Sequence, residues 1–202
     1  MNFDTSKYLS GIGALLLVIA AIGSAVQYLG FLGLVGIIVL LIGLKGLADF
    51  YKEQGIFNNA LYSIIIAIVG GIVAVATAAI TAVSVLASIG IDLGNIQDWT
   101  TFGTALGNYF ADFSNFGQLW TIISGVIVGL VLLFVFLIIA MFFVRKSLTQ
   151  LSSKSGIGLF GTAGLVMLIG AVLTIIVVGL IVIWIGLILV TAAFFMMKEP
   201  QA

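Results

Sequence analysis

From Gly156 to Met197 the chain carries no charged residue. Written as one α-helix, that run would extend roughly 60 Å at 1.5 Å per residue. The hydrocarbon core of a bilayer is only about 30 Å thick. The run must therefore fold back on itself, and the turn is expected between Val172 and Gly179. This gives two membrane-crossing helices, 156–175 and 177–197.

Four more stretches are long and apolar enough to cross: 9–28, 31–50, 61–90 and 119–144. The third exceeds the roughly 20 residues a crossing needs, so tilt, a bend near Gly70–Gly71 or protrusion is expected. Composition agrees. The chain is 63% hydrophobic and 7% charged, where a soluble domain has about 25% charged residues. The expected fold is all-α: a single polytopic transmembrane bundle over 1–202, with six helices. Lys7 followed by an apolar run resembles a signal peptide, but the run outlasts an h-region and a second apolar helix follows, so the run is read as a retained helix.

The basic residues are Lys7, Lys45, Lys52, Arg145, Lys146, Lys154 and Lys198. With six helices and a cytoplasmic N-terminus, all of them fall at cytoplasmic ends or loops. The long outer segment 91–118 contains none and carries Asp92, Asp98 and Asp112. This is the positive-inside pattern, so both termini are expected in the cytoplasm of a multi-pass cell-membrane protein. The cations then act as topology anchors.

Most chemistries lack their residues. There is no cysteine and no histidine, which removes disulfides, thiolate or imidazole metal sites and triads with an imidazole base. The net charge is zero, so no basic field attracts nucleic acid. No ionisable residue falls at the centre of a predicted helix, where proton relays and ion pathways leave their mark. The outer acids match no EF-hand spacing. No catalytic residue, cofactor or metal is expected, and the chain is not expected to be an enzyme.

Two features remain as candidate functional surfaces. Thr77, Thr81, Ser84 and Ser88 recur at three- or four-residue spacing on the third helix, as a polar stripe that either lines a water path or contacts another helix. In the outer segment Trp99, Phe102, Leu106, Phe110, Phe113, Phe116 and Trp120 recur with helical periodicity. They predict an amphipathic helix along the outer membrane surface, with a partner-docking surface as the alternative. The cytoplasmic stretch Ala48–Asn59 is read structurally: Gly55 as a helix stop, Asn58 and Asn59 as caps of the third helix.

Glycine is abundant, with 25 residues, and small residues let helices approach closely in lipid. Gly125 and Gly129 form GxxxG on the fourth helix. Gly36–Leu44 (GIIVLLIGL) and Gly179–Leu187 (GLIVIWIGL) agree at six of nine positions. Upstream, Gly11-Ile12-Gly13 parallels Gly156-Ile157-Gly158. These matches are read as a repeat of the first and last hairpins, with convergence of Gly/Leu/Ile-rich sequence as the alternative.

The stretches Met1–Ile19 and Ile42–Tyr62 (IGLKGLADFYKEQGIFNNALY) resemble a family of small multi-pass membrane proteins of unknown function, found mainly in archaea. The resemblance is strongest over the N-terminal third and looser later, where it includes Phe194-Phe195. It implies an archaeal-type plasma membrane location and supplies no catalytic residues.

Two classes of function follow. One is a structural or accessory subunit, embedded in the lipid bilayer and packed against other membrane proteins or itself. The other is a channel or carrier for a small solute or ion along the Thr77–Ser88 face, which an oligomer could form.

Overall fold

The computed structural model describes residues 2–22, 30–88, 103–104, 107, 116–176 and 178–199. Among these the long elements are all helices: α1 (Phe3–Ile22), α2 (Gly30–Phe50), α3 (Gln54–Ser88), α4 (Phe116–Ser155), α5 (Gly158–Leu173) and α6 (Val178–Met196). Each is long and apolar enough to cross a membrane. A short 3₁₀ turn, Thr174–Ile176, joins α5 to α6. It lies where the uncharged run was expected to reverse.

Helix ends depart from expectation for identifiable reasons. α1 begins at Phe3 rather than Leu9, because Asn2 Oδ1 accepts the Thr5 N–H at 2.8 Å and caps the first turn. α3 begins at Gln54 rather than Leu61. The reversal before it is made by Lys52, whose φ of 52° is left-handed, and the Glu53 N–H closes it on Ala48 O at 2.9 Å. Gly55 therefore opens α3 instead of stopping α2. Asn58 and Asn59 lie inside α3 and cap nothing. The helix also runs unbroken through Gly70–Gly71.

α4 was expected to end at Val144, yet it continues to Ser155. Past Arg145 it becomes amphipathic: Ser147, Leu148 and Leu151 are buried, and burial of that face holds the extra turns. The segment 147–155, between the stretches expected to cross, is thus helical. Gly156 ends it with φ +73°, its N–H bonded to Ser152 O.

The chain divides into two compact units, Met1–Ala67 with Phe136–Ala202, and Ile68–Val135. The first holds the buried core, which includes Phe3, Leu47, Ile56, Leu151, Phe160 and Phe194. Phe160 and Phe194 stack edge-on at 4.9 Å, and Phe3 meets Phe50 at 5.0 Å.

Glycine sets the closeness of the two terminal hairpins. Gly13 of α1 lies against the Leu40 backbone and Gly36 O of α2, and Ser10 lies against Gly43. In the last hairpin Gly170 of α5 lies against the Ile183 backbone and Gly179 O of α6, and Met167 lies against Gly186. Gly36, Leu40 and Gly43 occupy the positions of Gly179, Ile183 and Gly186 in the matched nine-residue stretches. The upstream parallel does not carry over. Gly158 has open space where Gly13 has backbone, and Gly156 serves a turn while Gly11 packs on Phe194 and Phe195. α1 also meets α6 through Trp184 Nε1–H, which donates to Val18 O at 3.2 Å.

In the second unit the described helical residues are 68–88 of α3, 103, 104 and 107, and 116–135 of α4. α3 and α4 pack where α4 has glycine: Gly125 against Thr81, and Gly129 against Thr77.

Candidate functional site

The polar stripe of α3 is satisfied within its own helix. Thr77 Oγ1 donates to Val73 O at 2.9 Å, Thr81 Oγ1 to Thr77 O at 2.9 Å and Ser84 Oγ to Ile80 O at 2.8 Å. A hydroxyl committed to the carbonyl four residues back has no proton free for a solute. Thr77 and Thr81 lie half-buried against the glycines of α4. Ser88 is the last residue of α3.

The aromatic segment is only partly placed. Trp99, Phe102, Phe110 and Phe113 lie outside the described residues. Gly103, Thr104 and Gly107 between them are helical. Trp120 belongs to the first turns of α4 and is exposed.

Spacing alone gave no signal for the polar cluster in the first unit. Asn59 Nδ2 on α3 donates to Gln150 Oε1 on α4 at 2.9 Å and to Gly55 O at 2.7 Å. A Cβ at Gly55 would meet the Gln150 amide, which would have to shift away. Ser147 Oγ of α4 donates to Ile56 O. Glu53 and Lys154 form an ion pair at 3.5 Å beside them. Such exposed pairs contribute little; the buried hydrogen bonds fix the α3–α4 register. Each partner lies 91 residues from the other, so neither is visible from local pattern.

The other buried polar feature is Ser10, fully buried with no hydrogen-bond partner for its hydroxyl. Its oxygen lies where a Cβ on Gly43 would stand. Among the described residues no three Asp or Glu side chains gather as a metal site. Tyr51, at the α2–α3 link, has its phenol pushed above its ordinary value of 10.0 by burial, its ring edge-on to Phe3 and Phe50.

A cavity of about 250 Å³ lies in the first unit. All six helices line it, through Leu17, Ile37, Ala60, Ala140, Met167 and Leu187 among others. Its only polar lining residues are Ser63 and Ser147. Both hydroxyls are already spent on main-chain carbonyls, of Ala60 and Ile56.

The comparisons assign no activity to this arrangement of apolar helices and glycine contacts. An uncharacterised protein of Methanocaldococcus jannaschii, MJ1644, is 28% identical over 200 residues, covering 98% of this chain and 95% of its own length. No solved structure matches. The family model of a protein of unknown function, DUF996, matches residues 32–188. That span takes in α2 to most of α6, and so is broader than the N-terminal third in which the resemblance was strongest. The chain belongs to the DUF996 family.

Proposed function

We propose that this protein is a non-catalytic structural or accessory subunit of the cell membrane, packed against other membrane proteins. One observation carries the reading. Only 6% of the apolar window of α3 and 11% of that of α4 is buried, against 33–39% in the other four helices. These two helices present apolar side chains such as Ile72, Val75, Ile80, Val126 and Leu130 almost uncovered. Such a face suits lateral packing against another membrane helix. The channel reading has less support, because the hydroxyls it needs on Thr77 and Thr81 are bonded to the helix backbone and face Gly129 and Gly125.

The topology proposed with it has both termini in the cytoplasm. Lys7 near the start of α1, Lys45 near the end of α2, Lys52 before α3, Arg145, Lys146 and Lys154 in the last turns of α4, and Lys198 after α6 mark the same side of successive crossings. We also read α1–α2 and α5–α6 as a repeat. In support, Gly13 and Gly170 meet matched positions of the following helix, as do Ser10 and Met167.

Purification from native membrane in mild detergent tests the function. The expected result is one or more foreign membrane subunits in fixed stoichiometry. Recovery of the chain alone, together with solute or ion flux in liposomes that is lost in Thr77→Val/Thr81→Val, would overturn the proposal in favour of a channel.

A further inference from the structure

The cavity in the first unit is shaped for a hydrocarbon chain, and we propose that it holds the tail of a membrane lipid. The inference is independent of the accessory-subunit reading and needs only that the helices cross a bilayer.

Its lining sets the chemistry of the occupant. No charged side chain reaches it, and the two serines have no free donor. Water needs two to four polar partners to occupy a void, so this one stays dry, as apolar cavities of comparable size do while accepting apolar guests. A headgroup finds nothing to bond, which restricts the occupant to hydrocarbon.

Its form sets the shape of the occupant. Lining residues on α4 run from Leu137 to Leu148 and on α6 from Ile183 to Phe194. At 1.5 Å per residue either stretch spans roughly 15 Å along the helix axes. About 250 Å³ spread over that length is a narrow slot along the helices, the direction in which lipid tails run. A tail entering it restores the dispersion contacts that a void denies to Ala60, Ala140 and Met167.

The intact protein is reconstituted in phosphatidylcholine vesicles containing a small fraction of phosphatidylcholine with a mid-chain diazirine. After irradiation the labelled residues are located by mass spectrometry. Met141 and Met167 line the slot, while Phe142 is an exposed neighbour that reports ordinary lipid contact. The expected result is labelling of Met141 and Met167 at least as strong as that of Phe142. Ala140→Leu or Ala60→Leu, which fill the slot, should reduce labelling of Met141 and Met167 at least fivefold and leave Phe142 unchanged. If both variants misfold, the wild type alone decides the matter: Met141 and Met167 at background beside a strongly labelled Phe142 would overturn the proposal. So would folded variants that label like the wild type. If excess decane displaces no label from the slot residues while unlabelled phosphatidylcholine does, a lipid tail is supported. If decane alone displaces it, the slot takes free hydrocarbon and the lipid assignment fails.

Discussion

Asn59 on α3 donates its side-chain amide to Gln150 on α4 at 2.9 Å, tying together two residues 91 positions apart. Asn59 is buried and Gln150 half-buried, so the bond is partly shielded from water. Asn59→Ala should destabilise the protein by about 1–2 kcal/mol, the cost of leaving a shielded amide unpaired. A double-mutant cycle with Gln150→Ala, read by unfolding in mixed micelles, should return a coupling of about 0.5–1.5 kcal/mol. Additive effects would show that the bond does not form.

Gly13 and Gly71 separate contact from propensity. A Cβ at Gly13 would run into the Leu40 backbone, which has no rotamer to move away, whereas a Cβ at Gly71 meets nothing within 4 Å. Gly13→Ala should cost about 1–3 kcal/mol through overpacking. Gly71→Ala should be neutral or stabilising by up to about 1 kcal/mol. Equal effects in thermal melts would contradict the close approach of α1 and α2.

In the second unit the expected effects are opposite for donor and acceptor of space. Thr77→Val and Thr81→Val keep the packed shape and give up only a bond within the helix, so each should change stability by less than about 1 kcal/mol. Gly125→Ala meets the Thr81 side chain and should cost more. Adding Thr81→Ala should recover part of the loss, since it removes Oγ1 and Cγ2, the two nearest of the colliding atoms, and keeps Cβ. Absence of rescue would mean that Thr81 and Gly125 are not in contact.

Sidedness is accessible because the chain has no cysteine. Ser153 is exposed near the end of α4 and serves as a labelling site there. In intact cells Ser153→Cys should resist an impermeant maleimide and react after permeabilisation, and Asp112→Cys should react at once. Rapid labelling of Ser153→Cys in sealed cells contradicts a cytoplasmic α4–α5 link.

Burial raises the Tyr51 phenol, so the folded state holds that proton more tightly than the unfolded chain. The stabilisation is fully present below pH about 10, where the phenol is protonated in both states. It is lost as pH rises past 10 and on through the higher folded value, because the unfolded chain ionises first. A spectrophotometric titration should show a late phenolate that disappears in Tyr51→Phe. An unchanged high-pH limb in that variant would assign the burial effect to another residue.

The number of apolar helices was legible in the sequence because it rests on a local property. A charge or an open backbone group in hydrocarbon costs free energy wherever it falls, so uncharged runs mark helices without reference to neighbours. The reversal at Thr174–Ile176 followed from length alone. Helix ends were less legible: Lys52 takes a left-handed turn position that composition assigns to glycine, and the polar end of α4 stays helical only because Ser147, Leu148 and Leu151 find a core. The tertiary structure alone decided what the polar residues meet. The Thr77–Thr81 stripe does not itself indicate that Gly129 and Gly125 lie against it. Asn59 reads as a cap until Gln150 is seen opposite. Those outcomes depend on pairs brought together across tens of residues, and no term in the local sequence encodes which face of one helix will meet which face of another.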